Sequence, residues 1–189
     1  MDTQRLSAIL LIAGSAVMIL AFPIGLSGVY QIQDLDERVR IIEEHKSRWY
    51  VSQSLIAISA LLTAFGFAVL ASNLRTLGSA WIPIVGAAAL VIAAISAEIF
   101  IYRQTIDPLS TYQGAYSGMQ MLYYWLSVPG FLLFGVAFLQ AGLPAWLGYV
   151  TTGASLVFGI FMLVSGAGFL TPGLVVILSL VIGIAVLRQ

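Results

Sequence analysis

The chain contains no cysteine. That removes disulfides, thiolate metal sites, thioether-attached haem and S-palmitoylation from consideration. Its one histidine, His45, and its one lysine, Lys46, are neighbours in the most polar stretch. A bis-histidine haem within a membrane therefore cannot be built from a single copy, and no lysine lies where an apolar segment would bury a Schiff base. Charge is scarce as well: 8% of the 189 residues are Asp, Glu, Lys or Arg, against about 25% in a soluble domain. Acidic and basic residues balance, so the net charge of zero gives no reason to expect nucleic acid binding.

What remains is apolar. Hydrophobic residues make up 60% of the chain and the mean hydropathy is +1.01, which places it in the membrane class. A helix rises ~1.5 Å per residue, so about twenty residues cross a ~30 Å hydrocarbon core. Runs near that length cover residues 6–29, 50–72, 81–102, 119–140, 145–164 and 170–187. The expected architecture is all-α, a six-transmembrane-helix bundle forming one integral membrane domain over residues 1–189. The first run follows Arg5 but is too long for a signal-peptide core and has no A-x-A-like site after it, so it reads as a retained span. Pro23 should bend its far end.

Residues 34–48 hold most of the charge. Asp34 followed by Glu37 has the spacing of an Asp-type capping box, which marks a helix start. Leu35, Val39, Ile42 and Trp49 then form one apolar seam on an otherwise charged helix, and Asp36/Arg40 and Glu44/Arg48 have the spacing of ion pairs. No proline or glycine interrupts the chain from Asp34 to Phe65. This segment is therefore expected to extend the second span as one long, charged, amphipathic helix; the alternative is a helix lying on the membrane surface. Glu43, Glu44 and His45 are consecutive and diverge around a helix, so no metal site is expected.

The third span carries Glu98, the one acidic residue inside any apolar run. Ala89, Ala93 and Ala97 form a small-residue stripe that lets another helix approach, and Glu98 lies beside it. A carboxylate facing lipid costs at least ~2.5–3.5 kcal/mol, so Glu98 should look toward other helices. It reads either as a titratable or cation-binding group, or as a structural carboxyl held near the interface by Tyr102 or an arginine. With six spans, most aromatic residues gather on the side away from the termini, among them Tyr30, Trp49, Tyr50, Tyr102, Tyr112, Tyr116, Tyr123 and Tyr124. That excess, together with the polar groups there, places a ligand or proton pocket at Glu98, Gln53, Tyr102, Arg48, Arg103, Trp49 and Tyr123. Phe65-Gly-Phe-Ala-Val-Leu70 and Phe134-Gly-Val-Ala-Phe-Leu139 match at four of six positions, as a parallel duplication or chance would give.

The basic residue before the first span, the charged helix leading through Arg48-Trp49 and Gln53, and the Asn73-Leu74-Arg75 link resemble those of uncharacterised six-span prokaryotic membrane proteins in families defined by a domain of unknown function. The resemblance implies a six-helix fold and carries over no activity or site residues.

Three functions fit these residues. One is a small-solute or proton-linked carrier, or a membrane ligand-binding protein, with its polar pocket around Glu98. The second is a non-catalytic accessory or scaffold subunit docking a partner membrane protein, or a second copy, through Leu35, Val39 and Ile42. The third is a lipid-binding protein in which Arg48 and Arg103 hold a phosphate. No nucleophile–base pair is present, so no catalytic residue is assigned, and no cofactor is expected. The expected location is the prokaryotic cytoplasmic membrane. Lys and Arg are more numerous on the far side, but four of those five lie in the acidic helix. Arg5 and the initiator amine favour cytoplasmic termini.

Overall fold

The computed structural model describes residues 2–26, 28, 29, 32, 34–75, 80–109, 114, 117–165 and 170–189. Among them are seven helices and no strand: α1 (Thr3–Ile24), α2 (Leu35–Glu44), α3 (Lys46–Leu74), α4 (Ile82–Ile106), α5 (Ser117–Gln140), α6 (Ala145–Ser165) and α7 (Thr171–Leu187). Five of these, α1, α3, α4, α5 and α6, are long and apolar enough to cross a membrane; α7 is apolar but has 17 residues. Helices suit this composition because hydrocarbon offers the backbone no outside partner, and a helix satisfies its own N–H and C=O groups.

Two local expectations change. The first helix stops at Ile24, not Val29: Pro23 removes one backbone donor from its last turn, and the Gly25 N–H closes that turn on the Ala21 carbonyl at 2.9 Å. The charged segment is not continuous with the second span. It starts where expected, with the Asp34 carboxylate accepting from the backbone of Asp36 and Glu37 at 2.9 and 3.2 Å. It ends at His45, which takes φ −117° and ψ 32°, outside the helical region. The cause is tertiary: turning there buries Ile42 against Val29 and Trp49. Arg40 pairs forward with Glu44 at 2.6 Å, not back with Asp36. Arg48 donates through Nε to the Ile24 carbonyl at 3.3 Å. At the start of α7, Leu170 is the cap and Thr171 the first helical residue, with its hydroxyl 3.7 Å from the Met162 sulfur.

The apolar helices follow one another around a ring in the order α7, α1, α3, α4, α5, α6, and α6 and α7 touch only sparsely. Small residues and hydroxyls set the close contacts. Ser59 donates to the Gly14 carbonyl at 2.7 Å and Ser52 to the Ala21 carbonyl at 3.2 Å, joining α1 to α3; such bonds contribute about 0.6 kcal/mol each in a membrane. Gly86 and Gly130 bring α4 against α5, and Gly183 brings α7 against Ala8 and Leu11 of α1.

The end of the bundle nearer the termini is solid. Phe67 of α3 meets Phe131 edge-on at 5.2 Å between ring centres and Phe134 at 4.8 Å, and Phe134 meets Phe138 at 5.9 Å. These rings, with Leu11, Leu70, Leu74, Leu147 and Ile182, are fully or almost fully buried in one core. The two halves of the six-residue sequence match do not occupy equivalent positions: Phe65 is exposed where Phe134 is buried, and Phe67 is buried where Val136 is exposed. Only the two glycines keep the same environment.

A candidate ligand-binding cavity

The opposite end of the bundle is hollow. A cavity of ≈ 780 Å³ lies between α1, α3, α4, α5 and the start of α7. That is within the range of about 300–1,000 Å³ usual for small-molecule sites. Two helix ends open it. α1 finishes with Met18, Ala21, Phe22, Gly25 and Leu26 on the cavity, and α7 begins there with Leu170, Pro172 and Gly173. Below it, a void of ≈ 30 Å³, enough for one or two waters, is lined by Ser59, Thr63, Ser127, Leu90 and Phe67 and shares Met18, Ala60 and Tyr123 with the cavity above. Phe67 closes this path from below: it is fully buried and belongs to the aromatic core.

Polar groups come from the middle helices. α3 presents Trp49, Ser52 and Gln53; α4 presents Gln104; α5 presents Gln120, Tyr123 and Tyr124. Gln53 and Gln104 are each 3% exposed. The Gln120 amide donates to the Tyr124 hydroxyl. An amide offers two donors and one acceptor, and a phenol offers one of each. The described lining residues include no Asp, Glu, Lys, Arg or His. A charged guest would lose its water there with no opposite charge in the lining to replace it. The arrangement therefore suits a neutral molecule that forms hydrogen bonds.

The residues singled out from the sequence divide in two. Trp49, Gln53 and Tyr123 line the cavity; Arg48, Glu98, Tyr102 and Arg103 stand outside the lining. Glu98 follows the lining residue Ala97 and is rotated about 100° from it on the helix. It sits at the edge of the buried face, with its Oε1 shielded and without a hydrogen bond. Tyr102 is 61% exposed. Ala93 and Ala97 of the expected stripe are buried, as are Gly86, Leu90 and Ala94, while Ala89 is only partly so. Of the expected docking residues, Ile42 is spent on Val29 and Trp49, and Leu35 and Val39 are partly buried. Tyr30, Tyr112 and Tyr116 lie outside the described residues.

Gln104, Gln120 and Tyr124 were not read as site residues. Gln104 is the first residue of a polar stretch that looks like a link, but α4 continues to Ile106. The spacing Ala97, Ile101, Gln104 is i, i+4, i+7 and would have put the glutamine on the inner stripe. Among the described residues, no three His, Cys, Asp or Glu side chains gather as metal ligands. No protein-family model, curated protein or solved structure matches this chain.

Proposed function

We propose that this is a six-pass integral membrane protein that binds an uncharged small molecule in a cavity open at one end only. The observation that carries the reading is the ≈ 780 Å³ hollow edged by neutral amides and phenols and free of charge among its described lining residues. The aromatic core below it supports binding over passage. A carrier would have to part Phe67 from Phe131 and Phe134 and separate the glycine contacts around them. α7 makes the sixth crossing with little tilt: its 17 residues span ~26 Å, short of the usual core by an amount that local thinning accommodates. Both termini then share the cytoplasmic side, and the cavity opens toward the other.

The test is chemical. The protein is purified in mild detergent and analysed by native mass spectrometry, and its bound molecule is identified after organic extraction. One equivalent of a neutral compound is expected, absent from the double variant Gln53→Leu/Gln104→Leu. Wild type that carries nothing beyond bulk lipid, in the same amount as the variant, contradicts the proposal.

A further inference from the structure

The cavity lining is divided by helix. Every described lining side chain that forms hydrogen bonds comes from α3, α4 or α5, whereas α1 and the start of α7 contribute only Met18, Ala21, Phe22, Gly25, Leu26, Leu170, Pro172 and Gly173. A guest thus meets neutral polar groups on one side and hydrocarbon or bare backbone on the other. The apolar side reaches the outer surface of the bundle: Phe22 is 56% exposed and Leu170 43% exposed while both line the cavity.

The contacts described between α1 and α7 lie below this point. Gln4 reaches the Val186 carbonyl at 3.4 Å, Gly183 rests on Ala8 and Leu11, and Ser15 donates to the Val176 carbonyl at 3.1 Å. Beyond Val176, Gly173, Pro172 and Leu170 on one side and Met18, Ala21 and Phe22 on the other line the cavity. No atom of the described residues lies within 4 Å of where a Cβ on Gly173 would stand. Pro23 adds to the looseness at this level, since it leaves the Ile19 carbonyl without its helical donor.

We infer that the cavity takes a membrane-dissolved lipid with an uncharged hydrogen-bonding head and a single flexible chain, admitted sideways between α1 and the start of α7. This rests on the reading that the cavity binds a ligand. The head reaches Gln53, Gln104 and the Gln120–Tyr124 pair, and the chain lies along Met18, Phe22 and Leu170 toward the bilayer. A phospholipid head does not fit the described inner lining, because Arg48 and Arg103 both stand outside it.

Trp49 supplies the readout. It lines the cavity at 1% exposure, whereas the other tryptophans, Trp81, Trp125 and Trp146, are 65%, 45% and 50% exposed. Replacing those three by Phe leaves Trp49 as the single reporter. The delipidated variant is reconstituted in phosphatidylcholine. It is then titrated separately with a brominated monoacylglycerol, with brominated phosphatidylcholine, and with acrylamide from the water. The monoacylglycerol is expected to quench Trp49 to a plateau, several-fold more strongly than the phosphatidylcholine at equal mole fraction. Adding Gly173→Phe should remove most of that plateau and leave acrylamide quenching unchanged. Equal, unsaturable quenching by both lipids overturns the inference. So does a plateau with the phosphatidylcholine, which would assign a two-chain phospholipid. A monoacylglycerol plateau that Gly173→Phe leaves intact overturns the sideways route. Quenching by acrylamide alone leaves a water-filled pocket and removes the lipid. No quenching by any of the three removes the binding cavity itself.

Discussion

Gly135 of α5 and Gly148 of α6 are pressed together so closely that a Cβ on either would stand 3.0 Å from the other's carbonyl oxygen. A Cβ on Gly135 would also stand 2.7 Å from the Thr152 backbone nitrogen. A backbone atom cannot swing aside as a side-chain tip can. Gly135→Ala should therefore force α5 from α6 and cost about 1–3 kcal/mol. Gly153, on the same α6, has nothing within 4 Å of its Cβ position, so Gly153→Ala should be neutral or stabilise by roughly 0.5–1 kcal/mol. Thermal unfolding of both variants in detergent checks this; a Gly135→Ala melting temperature equal to that of wild type contradicts the close contact.

Phe67 and Phe65 give a second pair. Phe67→Ala empties the centre of the aromatic core and should cost about 3–5 kcal/mol. Phe65 is 63% exposed, and Phe65→Ala should change stability by no more than about 0.5 kcal/mol. Unfolding titrations in mixed micelles distinguish the two. Equal losses would mean that the ring order of the helices is wrong.

The topology is testable because the chain has no cysteine of its own. Glu43→Cys, on the exposed face of α2, and Arg188→Cys, after α7, should react with a membrane-impermeant maleimide from opposite sides. Labelling of both from one side would show that α7 does not cross.

Glu98→Gln should leave the bound molecule in place, since Glu98 is outside the described lining. Bound compound is quantified by mass spectrometry against the Gln53→Leu/Gln104→Leu double variant. Its loss from Glu98→Gln would return the pocket to the carboxylate.

Much of the fold is legible in the residues. The apolar runs mark the long apolar helices to within a few positions, because a run of that length and composition satisfies its backbone most readily as a helix. Asp34 marks the start of α2 through its own side chain, a local effect. His45 is not legible: no proline or glycine flags the break, which exists because Ile42 and Trp49 both find Val29. The site is half legible for a related reason. Trp49, Gln53 and Tyr123 stand out as polar or aromatic groups at helix ends. Gln104 is hidden in a stretch whose polarity suggests a loop, although it lies on a helix, and Gln120 sits at the very start of an apolar run, where a polar residue does not stand out. Glu98 stands out because a buried charge is costly, but one residue along a helix is a third of a turn. The cavity faces Ala97.

The bundle is hollow at one end and solid at the other, and thiol accessibility measures that contrast directly. Single cysteines are placed at Ser52 and Ala97, which line the cavity, and at Ala71 and Ala137, which lie in the core. A small water-soluble thiol reagent should modify Ser52→Cys and Ala97→Cys from the side opposite the termini only, and should leave Ala71→Cys and Ala137→Cys untouched from either side. Modification of the core pair, or failure to reach the cavity pair, would contradict the one-sided cavity.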